Sequence, residues 1–371
     1  MQIQNMPVLF KFERNIMKTI PVLQFVEAYP DAPVIDTRSP GEYLKGHIPG
    51  AVNIPLFENE ERTEIGITYK LQGKETAVKE GLKIVGPKMV TLIEDLEKIT
   101  HSKSTTVKIY CWRGGMRSSS MAWLFETAGY ECVVLEYGYK SYRNLMTRLF
   151  DRFQIILLGG ETGAGKTKVL QELYKAGEQV VDLEKLANHK GSAFGAIGEA
   201  EQPTYEHFQN LVIEAFLKLN QEKRVFLEDE SSHIGKVGLP ENLWRKMKSS
   251  PVVCISVKLQ DRIGNLVADY GHYDKSELES GILKIGKKLG GQHEKSAIAN
   301  LQNGDLGAVA GILLHYYDKT YRFLLEKKRI NIIQTIEIGD PDPKRIAAVI
   351  LHKLKSAESN LDITTPMMKE Q

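Results

Sequence analysis

Two short stretches carry the residue types needed for sulfur and anion chemistry. The first is Cys111-Trp112-Arg113-Gly114-Gly115-Met116-Arg117, which follows the apolar run Val107 to Tyr110 and precedes a Ser-rich helix start. A cysteine there faces backbone N–H groups and the positive end of a helix, and both favour the thiolate. Two glycines let the loop curl with its amides inward, as in an anion cradle, and Arg113 and Arg117 add positive charge. Such a loop can carry a sulfane sulfur or hold a phosphate-like anion. The second stretch, Gly160-Glu161-Thr162-Gly163-Ala164-Gly165-Lys166-Thr167, fits G-x-x-x-x-G-K-[ST] between a strand and a helix. In that pattern the amides from Gly160 through Thr162, Gly163, Ala164 and Gly165 wrap a diphosphate, Lys166 supplies a point charge, and Thr167 reaches Mg²⁺. The acidic strand end Glu228-Asp229-Glu230 puts Asp229 or Glu230 in place for that metal, although such a cluster is often only a solvated turn. No firm metal site is expected, Thr167 with Asp229 being a candidate for Mg²⁺, and no permanent cofactor is expected. The guanine-reading Asn-Lys-x-Asp motif is absent, which counts against a GTPase switch.

The elements that must position these loops read as strand–loop–helix units. Apolar runs at Ala32 to Asp36, Val107 to Tyr110 and Val133 to Leu135 predict strands, and Ser118 to Ala128 a helix stopped by Gly129. Ser39-Pro40-Gly41-Glu42 is a capping box with Pro at the first helical position. In the second half Phe153 to Leu158, Val180 to Asp182, Val225 to Leu227 and Val252 to Ile255 are buried-strand candidates, and the chain from about 259 looks mostly helical. Alternating strands and helices imply parallel sheets with helices on their faces. The predicted class is α/β in two parts, divided within the charged stretch from Lys140 to Arg152. The ranges are an N-terminal extension 1–16, a first domain 17–145, a phosphate-loop domain with a helical C-terminal part 146–355, and a polar tail 356–371.

Composition sets the outer limits. With 371 residues, 42% hydrophobic and 26% charged, the chain has material for more than one core and a solvated surface. Lys plus Arg total 49 against 47 Asp plus Glu, a formal net charge of +2, so any nucleic-acid contact must be local. Three cysteines, none in a CxxC pair, do not make a disulfide framework. Cys132 and Cys254 sit in apolar strand contexts and are expected to be structural. No apolar stretch is long enough to span a membrane, and a cytoplasmic location is expected.

Val34-Ile35-Asp36-Thr37-Arg38, Glu42-Tyr43 and Gly46-His47-Ile48-Pro49-Gly50-Ala51-Val52-Asn53-Ile54-Pro55, with the Cys111 loop, resemble the rhodanese signature over about 17–145. The resemblance implies that Asp36, Arg38 and His47 are mainly structural. The loop departs from the usual rhodanese pattern, since Cys111 and Arg117 have the spacing of a Cys-x5-Arg phosphatase loop. A larger cradle suits a larger anion, such as a phosphate ester or selenophosphate. A rhodanese-like part followed by a P-loop NTPase-like part resembles the tRNA 2-selenouridine synthase family. The likeness extends through Asp182-Leu183-Glu184, Ala187-Asn188-His189-Lys190-Gly191-Ser192-Ala193-Phe194-Gly195, Glu228-Asp229-Glu230-Ser231, Leu289-Gly290-Gly291 and Tyr316-Tyr317-Asp318.

What the resemblance implies is a selenotransferase acting on wobble 2-thiouridine in tRNA. Its co-substrates would be selenophosphate and geranyl diphosphate, its intermediate S-geranyl-2-thiouridine, and selenophosphate synthetase a candidate partner. Cys111 would handle selenium, either covalently or by orienting selenophosphate in the loop of residues 112–117. For tRNA, Lys140, Arg143, Arg148 and Arg152 lie among Tyr137, Tyr139 and Tyr142, a basic stretch with aromatics for stacking. Lys284, Lys287 and Lys288 form a second patch. His189 and Lys190 are candidates for holding the prenyl diphosphate. Two rivals remain: a plain sulfurtransferase coupled to an ATP-dependent kinase-like domain, and a nucleotide-responsive sensor whose rhodanese fold only binds partners.

Overall fold

The computed structural model describes residues 17–100, 102–328, 332–339 and 341–362, so the expected extension 1–16 lies outside it. The chain divides into two compact units, Met1–Asn144 and Leu145–Gln371.

The first unit runs β1 (Lys18–Ile20), α1 (Val22–Glu27), β2 (Val34–Asp36), α2 (Pro40–Lys45), β3 (Val52–Asn53), α3 (Asn59–Val85), α4 (Met89–Ile99), β4 (Thr106–Tyr110), α5 (Met116–Thr127), β5 (Glu131–Leu135) and α6 (Gly138–Asn144). Its strands form a five-stranded sheet in the order β1-β5-β4-β2-β3, every pair parallel. Parallel strands are covered on both faces, so they read as largely apolar runs; in β4 the buried Lys108 interrupts the run and donates to the Ala28 carbonyl at 3.3 Å. Val107, Ile109, Cys132 and Val134 are accordingly packed in one core with Leu92, Leu96, Met121 and Phe125 from α4 and α5. The capping box forms: the Ser39 N–H donates to Glu42 at 3.2 Å. Helix α3 breaks at Gly73 (φ 87°), and its two limbs fold back as a hairpin, with Ile65 of the first beside Gly81 of the second.

The second unit runs β6 (Ile155–Gly160), α7 (Lys166–Lys175), β7 (Gln179–Val180), α8 (Leu183–Ala187), α9 (Tyr205–Leu217), β8 (Val225–Glu228), β9 (His233–Ile234), β10 (Val237–Gly238), α10 (Glu241–Ser249), β11 (Val252–Ser256), α11 (Leu259–Tyr270), α12 (Lys275–Leu289), α13 (Gly291–Asn303), α14 (Leu306–Lys328), β12 (Ile332–Glu337) and α15 (Pro343–Asp362). Its main sheet has the order β12-β11-β6-β8-β7, again all parallel. One core joins β6, β11 and β12 to α7 and α15. Another lies among α12, α13 and α14, closed by Phe194 and Ile197.

From about residue 259 the chain is mostly helical, with one edge strand among the helices: Ile332–Glu337 pairs with β11. At its end exposed Thr335 and Glu337 alternate with buried Ile336 and Ile338, the pattern of a half-buried strand. Helix α15 runs on to Asp362, into the polar stretch that begins at residue 356.

Candidate functional site

Strand β4 is the central strand of its sheet, and Cys111 follows at its carboxyl end, where open α/β sheets bind ligands. The loop turns back so that Gly115 caps α5. Its N–H points at the Cys111 sulfur at 3.4 Å, and the Ser118 hydroxyl lies 3.3 Å from it. The sulfur is almost wholly shielded, at 3% residue exposure. Burial alone would push the thiol up. The Ser118 hydroxyl, the Arg117 charge and the backbone N–H groups of Ser118 and Gly115 outweigh it, so the thiol sits below its ordinary value. In Cys132 burial acts with two nearby carboxylates and pushes the thiol up to about 12; burial also raises Cys254.

Arg117 is not a free charge. Its Nη1 donates to Glu42 at 2.8 Å, which holds it beside the loop. Arg113 and Met116 are exposed, and Trp112 tilts against Tyr139 with ring centroids 5.7 Å apart. The loop's shape is imposed from the segment after β5. Tyr139 and Lys140 donate backbone N–H bonds to the carbonyls of Cys111 (2.8 Å) and Trp112 (3.1 Å). Gly138, at φ 59°, makes this approach feasible, because a Cβ there would collide with the Cys111 carbonyl. Beneath lies a fully buried Arg38, paired with Asp36 and placed 3.9 Å from the Tyr139 ring centroid. Tyr110 donates to the same Asp36 at 2.8 Å. His47 stacks on Tyr43 at 3.8 Å.

The phosphate loop has the same position in the other unit. Its strand β6 is also central, and Gly165 caps α7 at the loop's end. Lys166 Nζ reaches the Gly160 carbonyl at 3.1 Å, a placement over the loop's mouth. Helices α11 and α14 brace the loop. Arg262 donates to the Thr162 carbonyl (3.2 Å) and forms a two-pronged pair with Asp318 (2.7 and 2.8 Å). Asn265 donates to the Gly163 carbonyl at 2.9 Å, and the Gly160 N–H donates to the Tyr321 hydroxyl at 2.8 Å. Sequence reasoning missed Arg262, Asn265 and Tyr321, which are scattered polar residues in helical stretches. Asp318 was noticed only as part of a resemblance.

Opposite Thr167 stands Glu228 rather than Asp229. The Thr167 hydroxyl donates to Glu228 Oε1 at 2.6 Å. Side chains alternate along a strand, so Glu228 and Glu230 turn to the loop and Asp229 does not join them. Glu184, from α8, completes the group: one carboxylate oxygen from each of Glu184, Glu228 and Glu230 lies within 4.8 Å of the others. Burial and mutual repulsion push Glu184 up to about 9. Burial lifts Glu228 to about 7 and also raises Glu230, in both cases against the pull of Lys166. Three crowded carboxylates and a hydroxyl form an oxygen set that suits a hard divalent cation.

The loop carrying His189 and Lys190 comes close to this group at Gly191. That residue has φ 68°, and a Cβ there would meet Glu184 at 2.5 Å. The His189 ring accepts from the Gly191 N–H at 3.1 Å. Burial and then the charge of Lys284 lower its pKa. Lys190 is already engaged, with Nζ 2.9 Å from Glu199 and over the Tyr270 and Tyr273 rings. Lys284, Lys287 and Lys288 share the exposed face of α12, opposite its buried Leu278, Ile282 and Ile285. In the other basic stretch Lys140, Arg148 and Arg152 are exposed and Arg143 is half-buried. Base stacking there is narrower than expected, because Tyr139 is buried against Arg38, Tyr142 is buried against the Tyr139 ring, and of the three tyrosines Tyr137 alone faces solvent. Among the described residues no helix is long and apolar enough to cross a membrane.

Comparison with known proteins agrees with this division. Residues 22–145 match the model of the rhodanese-like domain, and residues 153–341 that of the tRNA 2-selenouridine synthase AAA domain. Relatives named tRNA 2-selenouridine synthase cover most of the chain. The protein of Nitrosomonas eutropha is 31% identical, with 81% of this chain and 90% of that one covered. That of Shewanella pealeana is 34% identical (82% and 91%), and that of Bdellovibrio bacteriovorus 32% (81% and 91%). A thiol loop on one parallel sheet, a braced phosphate loop on another and a match of this reach lead to one conclusion: the chain belongs to the tRNA 2-selenouridine synthase family.

Proposed function

We propose that this chain makes 2-selenouridine in tRNA in two steps, one at each loop. In the first, the sulfur of wobble 2-thiouridine attacks the C1 carbon of geranyl diphosphate; a C–S bond forms and diphosphate departs. The amides of residues 160–165 and the Lys166 ammonium stabilise the charge that develops on the leaving group. A Mg²⁺ ion held by Thr167 and Glu228, with Glu184 and Glu230 near, would neutralise part of the diphosphate charge. In the second step selenium from selenophosphate replaces the alkylated sulfur. Alkylation helps because a geranyl thiol leaves more readily than the sulfur of an unmodified thiocarbonyl. The Cys111 loop serves this step, through a Cys-bound selenium or by orienting selenophosphate. The basic residues Lys140, Arg143, Arg148, Arg152, Lys284, Lys287 and Lys288 are the candidates for gripping tRNA phosphates.

The observation that carries this reading is the pairing of a thiol held below its ordinary pKa with a separate, cation-ready phosphate loop. Nucleoside mass spectrometry on tRNA tests it. Cys111→Ser is expected to accumulate S-geranyl-2-thiouridine. Lys166→Ala is expected to leave 2-thiouridine unmodified, yet still to selenate tRNA geranylated beforehand. The reverse pattern overturns the division of labour. ATP turnover with sulfur transfer from thiosulfate and no need for tRNA would favour the sulfurtransferase–kinase alternative.

A further inference from the structure

The first unit contains an apolar cavity of about 460 Å³ that neither loop accounts for. It opens between the two limbs of the α3 hairpin and α5, with Phe57, Ile65, Val78 and Trp123 among its walls. The size lies within the ~300–1,000 Å³ range of small-ligand pockets. Two further observations separate it from an ordinary packing gap. Large apolar side chains around it are left in solvent, including Tyr69 (58% exposed), Leu82 (60%), Met116 (52%) and Trp123 (46%), a grouping that marks a binding surface. Arg62 also lines it, and the Arg62 Nε–H is shielded from solvent without a hydrogen bond. Its nearest carboxylate, Glu42, is 3.8 Å away and already accepts from Arg117.

The cavity is continuous with the thiol loop. Met116 and Arg117 line it, and Arg117 is also the charge that lowers the Cys111 thiol. A ligand here therefore has a hydrocarbon body and one end that gains negative charge beside Arg62 and Arg117. We propose that this cavity holds the prenyl chain of the S-alkylated tRNA base during the selenium step, with the departing sulfur beside Arg62 and Arg117. The assignment rests on the two-step reading above. In the step it serves, a C–Se bond forms at C2 of the uracil ring. The C–S bond breaks with its electron pair going to sulfur, the thiolate takes a proton from water, and hydrolysis of the P–Se bond releases phosphate. Burying the chain holds the alkylated base at the loop, and the two guanidiniums stabilise the thiolate as it leaves.

The test uses full-length protein, selenophosphate and tRNA whose 2-thiouridine has been alkylated chemically with either a geranyl or a methyl group. Wild type is expected to prefer the geranyl substrate in kcat/KM by at least about tenfold. Val78→Trp and Ser120→Trp, which put an indole into the cavity from α3 and from α5, are expected to bring that preference close to unity, with melting curves reporting that each variant folds. A wild type with no preference, or a preference that survives in both folded variants, overturns the proposal. If neither variant folds, a photoreactive geranyl analogue on the base decides. Label in residues 56–89 and 116–124 supports the cavity, and label elsewhere refutes it. No donor diphosphate is used, so the outcomes stay distinct. A chain that selenates geranylated tRNA yet makes none from geranyl diphosphate loses the first step of the reading and keeps the cavity. Selenium transfer to neither substrate loses the two-step reading, and the photolabel still decides the cavity.

Discussion

In both units an anion cradle hangs from the carboxyl end of the middle strand of a five-stranded parallel sheet. Strand β4 runs through Cys111 and a glycine loop into α5, and β6 runs through residues 161–165 into α7. The two differ in what surrounds the loop. Beside Cys111 the cation that acts on the thiol, Arg117, is tied to Glu42, and the sulfur takes its stabilisation from a hydroxyl and backbone N–H groups as well. Beside Lys166 three carboxylates crowd together, and burial raises the pKa of all three, so they hold protons that a cation can replace. The same backbone device thus yields a nucleophile-ready thiol in one unit and a cation-seeking pocket in the other. The surrounding side chains, and not the loop shape, decide the chemistry.

The largest expected effect is at the atom that only one loop has. Cys111→Ser should bring selenium incorporation to background while leaving tRNA affinity within about twofold, since a hydroxyl is not ionised at neutral pH. Mass spectrometry and a filter-binding titration read the two quantities. Normal 2-selenouridine from the Ser variant would make the thiol loop only an anion cradle and erase the contrast. Lys166→Ala comes next. Loss of its charge should slow prenyl transfer by roughly 10²-fold, read as geranylated nucleoside formed per minute under single-turnover conditions.

Both loops were legible in the sequence because each is a contiguous run whose spacing carries its own mechanism. What surrounds them was less so. Arg262, Asn265 and Tyr321 reach the phosphate loop across 100 to 161 positions, Asp318 reaches Arg262 across 56, and no local pattern announces such contacts. Glu228 was passed over for Asp229 because the strand's last residue decides which side chain turns inward, and ends of strands are poorly marked by composition. Tyr139 and Tyr142 looked like a stacking surface in a basic stretch. Tyr139 is buried because Arg38 needs an aromatic face as well as Asp36 to remain inside the fold, and Tyr142 stacks behind Tyr139. The hairpin of α3 hides behind one glycine, Gly73, in an otherwise unbroken helical run.

The carboxylate cluster allows a smaller effect to be predicted with its sign. Glu184, Glu228 and Glu230 have pKa values above those of the unfolded chain, so the folded unit keeps protons that the unfolded chain releases. Stability is therefore full below about pH 4, where both states are protonated. It declines as pH rises through about 7 for Glu228 and about 9 for Glu184. A divalent cation replaces those protons. Mg²⁺ should raise the melting temperature more at pH 8.5 than at pH 5.5, by roughly 2–4 °C for each kcal/mol of binding linkage. Glu184→Gln should flatten the pH dependence in EDTA. A Mg²⁺ effect equal at both pH values would place the ion away from this cluster.

The smallest expected effect probes the thiol itself. Its low pKa is a balance: burial works against the thiolate, and the Ser118 hydroxyl, Arg117 and two backbone N–H groups work for it. Arg117 is only one contributor, and its ion pair with Glu42 already spends part of its field. Arg117→Gln should therefore raise the thiol by less than about one pH unit, worth under about 1.4 kcal/mol. At neutral pH the thiolate fraction falls, so alkylation of Cys111 by iodoacetamide should slow a few-fold and its pH midpoint move up. Cys132 stays unreacted in that range because its thiol is pushed up to about 12, so the label reports on Cys111 without interference from that residue. Glu42→Gln should act in the opposite direction, freeing the guanidinium and moving the midpoint down. If the two substitutions shift the midpoint the same way, Glu42 and Arg117 act on the loop by holding its shape and not by charge, and the electrostatic half of the contrast between the two loops fails.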